Sequence, residues 1–378
     1  MQYDALHAWI LGAESRSLLP HRFLEGLVER LRAELPLWRL STGIRTRHPE
    51  VSVVSFWWSE EEGMQVEDIP HEEGFGQAAA GPIPRLYTSG APWLRWRLDD
   101  PIDIPLLARL RDRGATDYLI LNLPGSRAQS ISFATRDPAG FTELQLERLI
   151  GLQIPLAARW DHALARHSSF SLLRAYLGRH AALQVWQGAY RRTHDQRLDA
   201  IVFTCDLRGF TARVDAGPLE HVLQDLDRYF ECVSEPWIEA GGEILKFVGD
   251  AVLGILPIED EPESAARRAL DASRAAFARL DAVNADRPEG RDPLRMGWAL
   301  HAGEVAYGNV GSRSRVDFTV IGAAVNEVSR LESLTKTVAP LLISRRVATL
   351  LGAAELTDAG THTLRGVSHP VQVYTCPV

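Results

Sequence analysis

Lysine is almost missing from this sequence. Of its 41 basic side chains only Lys246 and Lys336 are lysine, and the rest are arginine. A compact ammonium and a planar guanidinium are not interchangeable, so those two positions ask for their own explanation. Cysteine is scarce too. Cys205, Cys232 and Cys376 are odd in number and far apart, which excludes a disulfide framework or a cysteine zinc site and points to reduced thiols in a cytoplasmic protein. Positive charge is in deficit. A net charge of −8 offers no basic field to phosphate backbones, so no nucleic-acid partner is expected. Long apolar runs are absent: none approaches the roughly 18 residues of a membrane helix, so no membrane span is expected. The opening MQYDALHAWILGAESR has an Asp and no basic residue ahead of its short apolar stretch, unlike a signal peptide. What remains is ordinary globular composition over 378 residues, enough for about two domains.

The chain changes character midway. Residues 1–40 carry Leu24, Leu27, Val28 and Leu31 at helical spacing. Strand-like runs follow, VSVVSFWW (51–58), DYLILNLP (117–124) and AQSISFATR (128–136), separated by Gly- and Pro-rich turns. This order predicts an α+β domain over 1–145. Thr142 with Gln145 three residues on forms a capping-box pattern that opens a helical linker over 146–195, interrupted at Pro155. Leu152, Leu156, Ala163 and Phe170 recur there at near-heptad spacing, which permits a parallel helix pair and a path from sensor to catalyst. The polar stretch RRTHDQR (191–197) marks a boundary. Beyond it the spacing predicts a strand at 200–206, an amphipathic helix over 218–242 with Leu219, Val222, Leu226, Phe230, Val233 and Trp237 on one stripe, and a hairpin turning at Gly249-Asp250. A helix over 264–283, strands at 295–305 and 315–322 and a helix over 323–334 complete the pattern. Strand, helix, hairpin, helix, strand suits an antiparallel sheet with helices packed on it, an α+β class.

Asp206 and Asp250 each stand where an apolar strand ends or turns. They are either two turn residues or, if their strands are neighbours, a carboxylate pair that wants a divalent cation. After Asp206 comes DLRGFT. Gly209 there is either a tight turn or the approach to a helix start whose amides, at Phe210 and Thr211, bind phosphate. ILKFVGDAVLG (244–254) buries Lys246 and Asp250 in an apolar run, where burial penalises both.

VFTCDLRGFT, EILKFVGDAVLGIL, ALHAGEVAYGNVGS and DFTVIGAAVNEVSRLE occur in that order across 196–378. The region so marked resembles a class III nucleotidyl cyclase catalytic domain, of the bacterial subtype. The resemblance implies a ferredoxin-like α+β fold and an adenylate cyclase converting ATP to 3′,5′-cyclic AMP and pyrophosphate, with two divalent cations, Mg2+ or Mn2+, and a homodimer sharing its sites. It implies Asp206 and Asp250 as metal ligands, Lys246 and Thr319 as purine readers, Asn326 as ribose-orienting, Arg330 as stabilising transition-state charge and Arg365, in TLRGV, as a triphosphate cation. Gly209, Phe210 and Thr211 would line the phosphates. It further implies that the aspartates and Lys246 sit on one protomer and Thr319, Asn326 and Arg330 on the other. Lys246 suits the acceptor N1 of adenine and the Thr319 hydroxyl its N6 amino group. Guanine reverses that pattern and would call for a carboxylate at 246. No side-chain base is evident. GNVGSRSRVDFTVIG holds either a dimer arm or a solvated loop.

The N-terminal strands followed by a long helix resemble a GAF-like sensor domain, with an unidentified small-molecule or protein effector. Trp57, Trp58, Trp93 and Trp96 there either line a pocket or, the reading favoured, pack cores and interfaces. The alternatives to a regulated adenylate cyclase are a silent nucleotide-sensing or dimerisation module and a guanylate cyclase.

Overall fold

A computed structural model describes residues 5–46, 49–71, 81–125, 129–191, 195–259, 261–288, 290–352, 355–364 and 370–378. The chain divides into two compact units, residues 1–175 and 176–378, so the stretch expected to be a linker is shared between them.

The first unit opens with helices α1 (Ala5–Leu11), α2 (Ala13–Ser17) and α3 (Pro20–Arg32). Strands β1 (Arg39–Arg45), β2 (Val51–Ser59) and β3 (Gly63–Pro70), helix α4 (Pro82–Ser89), strand β4 (Trp93–Arg97), helix α5 (Pro105–Asp112) and strands β5 (Asp117–Leu123) and β6 (Gln129–Thr135) follow. Helix α6 (Glu143–Gly151) and the long α7 (Gln153–Leu177) close the unit, α7 crossing its boundary. The six strands form one antiparallel sheet ordered β3-β2-β1-β6-β5-β4. The leucine stripe of α3 is buried as its spacing requires. Thr142 and Gln145 make the reciprocal capping bonds that start α6. Pro155 lies in the first turn of α7, where its missing N–H costs nothing, and the break falls before it. Leu152, Leu156 and Ala163 are buried in this unit's own core, so they are not free to form the expected parallel helix pair. The tryptophans are mostly platforms: Arg39 lies over Trp57 at 4.7 Å and Arg32 over Trp58 at 5.3 Å.

The second unit begins with α8 (Arg179–Trp186) and β7 (Asp195–Leu207). Then come α9 (Phe210–Ala216), α10 (Leu219–Glu239), β8 (Glu243–Val248), β9 (Ala251–Pro257) and α11 (Pro262–Ala285). Strands β10 (Met296–Gly311) and β11 (Val316–Ile321) lead to α12 (Ala323–Leu334), β12 (Leu341–Ser344), α13 (Arg345–Leu351), β13 (Thr357–His362) and β14 (Val371–Thr375). The sheet runs β13-β14-β12-β10-β7-β9-β8, with β11 paired on the far end of β10. Four consecutive strands of it, β10-β7-β9-β8, are all antiparallel and are joined in the ferredoxin-like β-α-β-β-α-β sequence.

Alternation along β7 sorts the two faces. Ile201, Phe203 and Cys205 point toward α10, α11 and α13, while Ala200 and Val202 point toward α8, α12 and β11. Phe203 stacks on Trp298 with centroids 4.4 Å apart and meets Trp237 at 4.3 Å, filling the first face. On α10 the buried line is Val222, Asp225, Tyr229, Val233 and Trp237. Leu219 is exposed instead, because it is the helix's first residue and lies beyond the sheet's cover. Among the described residues no helix is long and apolar enough to cross a membrane.

Phe203→Ala removes the centre of that aromatic stack. It should cost the second unit about 3–5 kcal/mol, read as a lower denaturant midpoint in tryptophan fluorescence.

Candidate active site

Strand register brings the acidic pair together. Asp206 ends β7 directly opposite Ala251, the residue after Asp250 in the two-residue turn between β8 and β9. Gly249 supplies the left-handed backbone that the turn needs, at φ 64°. The Asp206 and Asp250 carboxyls share a hydrogen bond. Burial first, then that bond and the charge of Asp206, push the Asp250 carboxyl up to about 6. A cavity of about 360 Å3 opens beside them, lined by both carboxylates, by the 207–212 turn and by Lys336. Gly209 sits at φ 73°, a left-handed position ahead of the first residue of α9, so Phe210 and Thr211 start a helix at the cavity wall as their motif implies.

Two cations flank the pair. Arg208 Nη1 lies 3.5 Å from Asp206 and its Nη2 lies 2.9 Å from Glu332, with a further bond to the Thr335 hydroxyl. Burial pushes the Glu332 carboxyl up, and the Arg208 charge opposes that shift. Arg208 reaches Thr335 only by crossing β10 at Gly297, where any Cβ would collide with its Nη2. Lys336 Nζ lies 3.9 Å from Asp206. Arg208, Glu332 and Thr335 escaped the sequence reading, because nothing local links positions so far apart. Lys336 had one signal, the rarity of lysine.

The residues expected to read the base stand elsewhere. Lys246 follows a register irregularity in β8, and its Nζ binds Asp317 at 3.1 Å. Asp317 lies two residues before Thr319 on β11 and therefore on the same face. Thr319 itself is buried. Lys246 thus meets β11, the strand that carries Thr319, within one chain. The expectation put Lys246 and Thr319 on different protomers; here β11 folds back along β10 far enough to touch β8 in the same chain. Asn326, exposed, and Arg330, partly exposed, stand one turn apart on α12. Neither lines the cavity at Asp206 and Asp250. Arg365 lies outside the described residues.

The residues fit a hard divalent cation. Two converging carboxylates, one of them pushed up to about 6, are a donor set short of positive charge. Among the described residues no third acidic, histidine or cysteine ligand joins them, so other ligands would be backbone, water or phosphate, a common arrangement for Mg2+. The Asp250 shift fixes a pH dependence. A carboxyl raised in the fold is stabilised protonated, so this group's penalty is absent at low pH and grows as pH rises through about 6. A cation relieves that penalty. The rise in melting temperature on adding Mn2+ should therefore be larger at pH 7.5 than at pH 5, and Asp250→Asn should flatten the difference.

Residues 194–376 match the family of the adenylate and guanylate cyclase catalytic domain. An uncharacterized protein of Mycobacterium tuberculosis is 36% identical over 213 residues, covering 53% of this chain and 36% of its own length. The adenylate cyclase of Anabaena cylindrica is 35% identical over 140 residues, covering 36% of this chain and 27% of that one. Among solved structures, the adenylyl cyclase CyaB of P. aeruginosa is 31% identical, with a TM-score of 0.45, over 48% of this chain and 94% of that one. The chain spans 36–38% of the length of the first three curated relatives it matches. Residues 194–376 of this chain are a class III adenylate and guanylate cyclase catalytic domain.

Proposed function

We propose that this chain is an adenylate cyclase, making 3′,5′-cyclic AMP and pyrophosphate from ATP at sites shared across a homodimer. The observation that carries the reading is the convergence of Asp206 and Asp250 beside a cavity walled by the start of α9. Bound divalent cations would supply Lewis-acid activation of the ribose 3′-hydroxyl and neutralise the leaving pyrophosphate. Lys246 donates to adenine N1, and the Thr319 hydroxyl accepts from the N6 amino group. Asn326 orients the ribose so that its 3′-oxygen lies in line with the α-phosphorus. Arg330 stabilises the charge that develops on the phosphate.

Neither Lys246, Asn326 nor Arg330 lines the cavity at the aspartates of its own chain, and in this reading those three serve the aspartates of the partner. Two-fold pairing joins one set to the partner's other set and gives two equivalent sites. The N-terminal unit, with its antiparallel sheet and long closing helix, serves as a GAF-like regulatory domain in this reading. Asp317 favours a second reading. Its carboxylate beside Lys246 offers an acceptor to the N1–H of guanine if the lysine swings away.

The purified chain should form cyclic AMP from ATP in Mn2+ or Mg2+ and little cyclic GMP from GTP. The opposite preference would establish the guanine reading. Asp250→Ala and Arg330→Ala should each lose at least about 100-fold in turnover. Mixed one to one, they should recover roughly a quarter of wild-type activity, because half the dimers carry one intact site. Lys246→Ala should complement Asp250→Ala but not Arg330→Ala, since Lys246 and Arg330 serve the same site. Complementation by the other pair instead would refute this division of residues between protomers.

A further inference from the structure

Of the two lysines in the chain, Lys246 reads the base in the proposed reaction and Lys336 has no part in it. Lys336 stands just past Thr335, the C-cap of α12. Its Nζ is 3.9 Å from Asp206, and it lines the cavity shared by Asp206, Asp250 and the Gly209 turn. The neighbouring cation behaves differently. Arg208 is pinned by Glu332 and Thr335, is largely buried, and serves as a fixed counter-charge. Lys336 is 59% exposed in its side chain, and among the described residues Asp206 is its only ion-pair partner. The flexible stem of a lysine lets its head move, and its ammonium is a point charge suited to phosphate.

We propose that Lys336 is a phosphate-binding residue of this cavity, holding Asp206 in the nucleotide-free state and passing to the outer phosphates when nucleotide and cation enter. The proposal rests on the nucleotide reading of the cavity. Asp206 cannot serve an ammonium and a divalent cation equally. A cation there repels Lys336, and the triphosphate brought in with it offers the displaced ammonium a polyanion within the same cavity. The position past α12 adds a division of labour. The exposed face of α12 presents Asn326 and Arg330 to one site of the dimer, and the end of the same helix delivers Lys336 to the other. Arginine would not substitute freely, because its fork would chelate the Asp206 carboxylate and resist exchange.

The test compares the full chain with Lys336→Gln and Lys336→Arg in two binding measurements. The probes are Mn2+ alone and then Mn2+ with 3′-deoxy-ATP, which lacks the attacking hydroxyl and cannot cyclise. Lys336→Gln should bind Mn2+ alone several-fold more tightly, because a competitor has gone. It should bind 3′-deoxy-ATP about tenfold more weakly, because a charge-assisted contact has gone. Lys336→Arg should bind Mn2+ alone more weakly than the wild type and keep only part of its nucleotide affinity, because the fork stays on Asp206. Opposite movement of the two affinities is what a merely structural lysine would not produce. Parallel weakening of both, or no change in nucleotide affinity, overturns the assignment while leaving the cyclase reading in place. Failure of the wild-type chain to bind 3′-deoxy-ATP at all overturns both.

Discussion

One register in one sheet carries the site. Asp206 stands opposite Ala251 on one side and Gly297 on the other. Shifting β9 by one residue against β7 would turn its side chains to the opposite face and take Asp250 away from Asp206. The aromatic packing of Phe203 against Trp298 and Trp237 holds that register, because it buries the odd residues of β7 against the helices. Asp206, on the even positions, is left on the other face. The hydrophobic core therefore sets the geometry of the carboxylates without touching them.

Bringing two carboxylates together costs energy, and the structure offsets that cost with charge in two forms. Arg208 is rigid, threaded across Gly297 into Glu332 and Thr335, and cannot leave. Lys336 is solvent-facing and can. The upward shift of the Asp250 carboxyl records what remains of that cost, and a divalent cation would relieve it. A site built this way is stable when empty yet keeps its acidic pair available.

The strand bearing Lys246 is anchored at its root. Glu243, the first residue of β8, is buried; it accepts the Ala181 amide of α8 at 3.0 Å and the Tyr307 hydroxyl. Burial and the Glu243 charge push the Tyr307 hydroxyl up, so it remains a donor. Three residues on, Lys246 takes its position against Asp317. Lys246 is thus tied through β8 to the helix that begins the second unit. Any movement of α8 would be felt first at Glu243.

The sequence by itself determined the local features. The Gly249-Asp250 turn, α12 with Asn326 and Arg330 one turn apart, the Thr142 capping box and the strands at 51–59, 117–123 and 129–135 are all written in short-range spacing. Strands β1, β3 and β4 were not legible. RLSTGIR and GMQVEDIP lack a strong apolar alternation, and WLRWR reads as an aromatic cluster. These segments become strands because neighbours pair with them, and pairing is decided by tertiary contact. The same limit held at the site. Motifs named the aspartates, Lys246 and Thr319, but only the fold showed that β11, the strand of Thr319, reaches Lys246 within one chain. Only the fold joined Arg208 to Glu332 and put Lys336 beside Asp206, since charges so far apart in sequence meet only where strand register and helix packing bring them together.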